Sequence, residues 1–282
     1  MEGIRTAAAV VVAVDGSANG WDALEWAAAE AAEAQQPLLV LHVIKWPSAA
    51  DLWMPFPELR SEAARAGTEW LFEAAVQRAL EIAPELQIVT RLEADCRPGR
   101  AVLRAAEHAS LIVLGRRRDG RRFPRRFGTS VASFVSRRAP CPVVIAGLDS
   151  RPAGPSAGRV AVLVDDDPTS IDALSLALRA AGRRGVGVTV LRPVAPAESG
   201  VLDRPLPLQT YRDTFAVADV AEAPLVGALG PALTASSAGA ALLVLGSRQS
   251  RSRRHARLPA ATKRIANSSR TPVVIVPAVR VA

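Results

Sequence analysis

One segment of the chain concentrates residues suited to holding an anion. It reads Gly115-Arg-Arg-Arg118-Asp-Gly-Arg-Arg-Phe-Pro-Arg-Arg-Phe-Gly128-Thr129-Ser130 and carries seven arginines. Gly115 follows a short apolar run and lets the chain turn sharply off it. Gly128 opens a helical pattern, so the first amides there, of Gly128, Thr129 and Ser130, have no partner inside the helix. Such amides, with the positive end of the helix dipole, form an anion site. Arginines in the intervening loop add charge-assisted hydrogen bonds. The same residues also describe an ordinary glycine-started helix with a Ser/Thr cap. A second basic stretch places five arginines between Arg248 and Arg257.

These two stretches account for the charge of the chain. Its 282 residues carry a formal net charge of +8. Without the two loops, 23 basic residues face 26 acidic ones. A positive charge confined to two loops argues for local anion binding rather than a nucleic-acid track.

Other chemistries lack their residues. No Gly-x-x-x-x-Gly-Lys-Ser/Thr is present, and Lys45 and Lys263 are the two lysines, which excludes a P-loop ATPase. Neither a Gly-x-Ser-x-Gly elbow nor a Gly-x-Gly-x-x-Gly appears. His42, His108 and His255 are scattered, and His42 reads as a structural residue ending a strand. No zinc pattern and no nucleophile–base pair is legible, so no catalytic residue is assigned. Asp165-Asp166-Asp167 reads first as a solvated turn capping a helix. Cys96 and Cys141 cannot build a disulfide framework and fit a reducing compartment as small buried residues. The apolar run Ala7 to Val14 is too short for a membrane span and lacks a signal-peptide context. The expectation is a soluble, cytoplasmic protein without a membrane partner.

The elements that must position these residues repeat. Val12-Ala-Val-Asp15-Gly16-Ser17-Ala-Asn-Gly-Trp-Asp22-Ala-Leu24 aligns without gaps, at an offset of 150, with Val162-Leu-Val-Asp165-Asp-Asp-Pro-Thr-Ser-Ile-Asp172-Ala-Leu174. Each copy is an apolar strand ending in Asp, then a turn, then a helix. Ser110 to Gly115 matches Ala240 to Gly246, and Arg138 to Ile145 matches Arg270 to Ile275. A period of this length marks duplicated domains. The predicted boundaries are 1–148 and 159–282, joined by a Pro/Gly-rich linker at 149–158. In the first half strands are predicted near 8–14, 38–44, 86–92, 110–114 and 142–146, with helices near 19–35, 60–83, 99–108 and 129–138. Apolar runs alternating with helices predict a five-stranded, parallel, doubly wound sheet in each half. Ligands of such sheets bind beyond the carboxyl ends of the strands, where the strand order reverses. The second half is proline-rich between Val194 and Thr214 and is expected to lack the long second helix.

The sequence resembles the universal stress protein family. That family carries Gly, two residues, Gly, nine residues, Gly and Ser/Thr after its fourth strand. Gly115 and Gly128-Thr129 match the outer positions, and Arg118 stands at the middle glycine. The opening Val-Val-Ala-Val-Asp15-Gly16-Ser17, the second strand Leu41-His42-Val43-Ile44 and the ending Arg-Arg-Ala-Pro-Cys-Pro-Val-Val-Ile are also similar. The resemblance implies tandem flavodoxin-like domains. It implies that Asp15 and the backbone near Val43 hold adenine and ribose, with Gly16 and Ser17 beside them. Gly115, Gly128, Thr129 and Ser130 would hold the phosphates. If the middle position needs positive φ, Arg118 costs about 1 kcal/mol, although its guanidinium could itself contact phosphate. The expected ligand is one ATP per chain, with or without Mg2+, in a stress-sensing role without efficient turnover. Weak hydrolysis stays open. In the second half Pro259 replaces the last glycine and has no amide to donate. The rival reading is an interaction module of the same fold. Its partner would be a regulatory protein or a further copy of the chain.

Overall fold

Strand formation follows the β-branched runs. Val10, Val11, Val12 and Val14 suit a pleated strand covered on both faces, and all four are buried in β1 (Ala9–Val14). The computed structural model describes residues 8–44, 57–94, 97–116, 131–147, 156–165, 169–194, 219–247, 265 and 269–277. They divide into two compact units, Met1–Ala146 and Gly147–Ala282.

The first unit continues with α1 (Ala18–Glu33), β2 (Leu38–Ile44), α2 (Pro57–Ile82), β3 (Ile88–Ala94), α3 (Pro98–Ala105), β4 (Ala109–Gly115), α4 (Val131–Val135) and β5 (Val143–Ala146). Its strands run parallel in the order β3-β2-β1-β4-β5. The order reverses between β1 and β4, which places the switch point at the carboxyl ends of those two strands. Helices α1 and α2 pack on each other on one face, and α3 and α4 on the other.

Local chemistry sets the ends of α1. Ser17 is its N-cap, in extended backbone, and its hydroxyl accepts from the Gly20 amide at 3.2 Å. The buried stripe of α1 is Ala23, Leu24, Ala27, Ala28 and Ala31, so small side chains let the helix lie close to the sheet. Leucines fill what the alanines leave. Leu24, Leu38 and Leu41 are fully buried, each worth about 1.5–3 kcal/mol of burial.

The second unit contains β6 (Val160–Leu163), α5 (Thr169–Arg184), β7 (Val188–Pro193), β8 (Val220–Leu225), α6 (Leu229–Ser236), β9 (Leu242–Gly246) and β10 (Val273–Val276). Its strands are parallel in the order β10-β9-β6-β7-β8, the first unit's order written backwards by role. The predicted loss of a long helix falls on residues 195–218, which lie outside the described residues.

Most predicted elements agree with the structure to within a few residues. Strand β3 starts two residues later than the apolar run at 86 suggests. Leu86 instead closes a turn, its amide donating to the Ala83 carbonyl at 3.1 Å. Among the described residues no helix is long and apolar enough to cross a membrane.

Candidate functional site

The crevice at the switch point is built from the ends of β1 and β4 and the first turn of α1. Asp15 follows β1 and is exposed. One of its oxygens, Oδ1, accepts from the Ser17 amide at 3.1 Å and from the Ser17 hydroxyl at 2.5 Å. That turn needs Gly16 at φ +76°, a left-handed conformation that other residues adopt at a cost. Ser17 therefore orients the carboxylate and caps α1 with the same hydroxyl.

Gly115 ends β4 against the backbone of α1. A Cβ there would lie 2.4 Å from the Asn19 carbonyl oxygen and 3.1 Å from the Gly20 nitrogen. Beyond it, the Asn19 side-chain amide donates to the Arg116 carbonyl. The two strand ends and the helix start are thus joined into one wall. Arg116 is half-buried, and its Nε and Nη2 are shielded from solvent with no hydrogen-bond partner among the described residues. Burial pushes its guanidinium below the ordinary arginine range. A shielded cationic donor without a partner suits an anionic ligand.

The outer wall is β2. Pro37 accepts from Val10, so alternate residues of β2, including Val43, direct their backbone groups toward β1. Val43 lies one residue past the last β1–β2 pair, Val14 with His42, so its carbonyl faces past the end of β1. His42 donates from Nδ1 to the Val14 carbonyl at 2.8 Å and sets its ring edge-on to Phe72. Those contacts make it a brace for the strand end, as its position in the sequence suggests.

The universal stress protein family profile matches residues 8–147. Universal stress protein Rv2005c of Mycobacterium tuberculosis is 34% identical over 187 residues, covering 63% of this chain and 61% of that protein. The chain thus spans less than two thirds of that relative's length. Universal stress protein Rv1996 of the same organism is 30% identical over 219 residues, covering 73% of this chain and 68% of that protein. The chain belongs to the universal stress protein family. A universal stress protein from Archaeoglobus fulgidus shares the fold along the chain, with a TM-score of 0.72, 19% identity and 95% and 96% coverage.

Of the residues that the universal stress protein pattern assigns, the structure brings Asp15, Gly16, Ser17, Val43 and Gly115 to one end of the first sheet. Arg118, Gly128, Thr129 and Ser130 lie outside the described residues, as do Asp166, Asp167 and Pro259. Arg116 and Asn19 are additions that the spacing of the glycines did not single out. Arg116 is one of seven arginines in that stretch and the one that lies among the described residues.

The second unit, compared at the offset of 150, differs at two further positions. Ser170 stands where the first unit has Gly20. Its hydroxyl donates to Asp165 Oδ1 at 2.7 Å and accepts from the Asp165 amide at 3.2 Å. In the first unit a Cβ on Gly20 would come within 2.9 Å of Asp15 Oδ1. Pro193 stands at the position of Val43 and has no amide hydrogen. The first departure is visible in the alignment at an offset of 150, and the second when that offset is carried on to the second strand, but their meaning depends on knowing which residues face the strand ends. Gly246 is shared: a Cβ there would lie 2.5 Å from Thr169 Oγ1 and 3.0 Å from the Thr169 carbonyl oxygen. Among the described residues no group of three or more His, Cys, Asp or Glu is placed to hold a metal ion.

Cys141 is buried and unpaired, as its sequence context suggests, and Cys96 lies outside the described residues. Burial pushes the Cys141 thiol up from 9.0 to about 11, opposed in part by a backbone hydrogen bond. The thiol ionises more readily unfolded than folded. Its stabilising contribution is therefore complete below about pH 9 and is lost as pH climbs toward about 11. Alkylation of Cys141 near pH 8 should run at least about tenfold slower in native protein than in urea. Peptide mass spectrometry checks this, and equal rates would contradict the burial.

Proposed function

We propose that the first unit binds an adenine nucleotide, ATP with or without Mg2+, and that the protein senses or regulates in a stress response without efficient turnover. The observation that carries this reading is the switch point, where an exposed carboxylate and a guanidinium with two shielded nitrogens that have no partner among the described residues belong to adjoining strand ends. A nucleotide supplies hydroxyl donors at one end and phosphate charge at the other. Asp15 offers acceptors to the donors, with Oδ1 held by Ser17. Arg116 offers its donors to the phosphates, beside the loop running on to Gly128, Thr129 and Ser130. Asn19 anchors the Arg116 backbone and fixes where the loop leaves β4. Asp15, the carboxylate of this set, is assigned to the ligand's hydroxyl donors rather than to proton abstraction, so the reading is one of binding without efficient hydrolysis. In this proposal residues 1–148 and 159–282 are two domains of one family and the protein acts in the cytoplasm.

Occupancy is asymmetric in this reading, because Ser170 takes up Asp165 and Pro259, which has no amide hydrogen, stands where the first half has Gly128. Equilibrium titration of the whole chain with labelled ATP should give a stoichiometry near one. Two equivalent sites would show that these departures are immaterial. No binding would leave the interaction module as the function.

A further inference from the structure

The two outer strands opposite the switch points, β3 and β8, are treated differently. Val188 donates to the Asp219 carbonyl and Val194 to the Leu225 carbonyl, so the alternate residues of β8 between them turn their backbone groups outward. Pro224 is one of those, and it removes a donor from that edge. Proline at an outward position is a standard device against edge pairing.

Strand β3 has no such device. Among the described residues it pairs on one side alone, with β2. Leu38 donates to the Gln87 carbonyl at 2.8 Å, so Ile88, Thr90, Leu92 and Ala94 direct their N–H and C=O groups outward. All four have an amide to donate. The side chains add two features. Thr90 lines a groove of about 720 Å³ with Phe72, Val76 and Leu80 of α2, which puts Thr90 and Leu92 on the α2 face. Leu92 is 46% exposed and Leu80 37% exposed, so an apolar strip borders the open edge. Arg91 and Glu93 lie on the opposite face, where Glu93 pairs with Arg104 of α3 at 3.3 Å.

The sequence around Leu92 is self-complementary in charge. Antiparallel pairing of two copies of β3 about a two-fold axis at Leu92 puts Leu92 opposite Leu92 as a hydrogen-bonded pair. Thr90 then faces Ala94. Arg91 faces Glu93 twice, at non-hydrogen-bonded positions, where opposing side chains approach most closely. The axis stands perpendicular to the sheet, so both copies keep α2 on one side, and the exposed leucines meet there. An axis one residue away in either direction would set Arg91 against Arg91 or Glu93 against Glu93. Of these three registers, charge favours the one centred on Leu92.

We infer that this edge is an interface for a second copy of the chain, a symmetric dimer joined through β3 with paired Arg91–Glu93 contacts. Of the two outer strands compared, the interface buries the one whose outward donors proline does not interrupt. It is independent of the nucleotide reading.

Sedimentation equilibrium of the full chain, from about 1 µM to about 300 µM, tests it. Reversible monomer–dimer association is expected. Arg91→Glu and Glu93→Arg should each weaken association by about tenfold, since each turns two attractions into two repulsions. The double variant carrying both should recover to within about threefold of the parent. Far-UV circular dichroism checks the fold, and Arg91→Gln with Glu93→Gln replaces any reversal that unfolds. A monomer throughout the series overturns the proposal. So does association that neither reversal weakens, or a double variant no tighter than the single ones.

Discussion

Replacement of Gly115 by alanine is expected to destabilise the first unit by about 2 kcal/mol or more, and valine by more still. The added Cβ would meet the Asn19 carbonyl oxygen at 2.4 Å and the Asn19 carbonyl carbon at 2.8 Å. Both are backbone atoms in the first turn of α1, so no side-chain rotation relieves them. The helix would have to shift, and its alanine stripe is packed against the sheet with no exposed surface. Closely packed interiors transmit such strain rather than absorb it. Urea denaturation should report the loss as a lower midpoint without a change in slope. Gly246→Ala is the internal comparison. Its nearest neighbour is the Thr169 hydroxyl at 2.5 Å, the tip of a side chain, with backbone first met at 3.0 Å. The second replacement should therefore cost less. A Gly115→Ala protein as stable as the parent would show that α1 does not rest on β4 in this way.

Replacement of Gly20 by serine is expected to weaken ATP binding by about tenfold or more, equivalent to about 1.4 kcal/mol, while the fold survives. The change transplants the second unit's arrangement into the first. Serine at 170 holds Asp165 Oδ1 at 2.7 Å. At position 20 a serine would come close enough to Asp15 to do the same, and would crowd Oδ1 at the site's mouth. A carboxylate engaged in that way offers less to a ligand. Calorimetry against ATP reads the effect, and the thermal midpoint controls for unfolding. Unchanged affinity would remove Asp15 from the ligand set. The reverse change, Ser170→Gly, should not by itself create a site, because Pro259 still stands where the first half has the Gly128 amide.

Sequence reading reached the elements more readily than the site. Strand–helix alternation, the positions of β1 and β2, and the Ser17 cap are local properties. Each follows from a run of β-branched residues or from a hydroxyl three residues before a free amide. Strand β3 was displaced by two residues because Leu86 extends the apolar run without joining the sheet. At the edge of a sheet, burial no longer distinguishes strand from turn, and Leu92 is more exposed than a buried strand would allow. Asp15, Gly16 and Ser17 were legible as the turn from β1 into α1, Val43 as part of the end of β2, and Gly115 as the end of β4. Arg116 was hidden among identical neighbours. Ser170 and Pro193 were in plain view of the alignment but carried no meaning until the strand ends were known.

By itself, then, the sequence determined that an α/β pattern recurs at an offset of 150, that the first strand ends in its own turn chemistry, and that the positive charge lies in two short stretches. These rest on periodicity, composition and turn residues, which act over a few positions along the chain. The tertiary structure alone decided which strand ends adjoin. Asn19 reaches the carbonyl of a residue 97 positions away, and Gly115 must be bare because that same helix start lies on it. It also decided that two nitrogens of Arg116 are shielded from solvent and that β3 keeps its outward donors where β8 has Pro224. Sheet order and register govern those outcomes. They arise when buried faces are matched across the whole fold, so no local spacing records them.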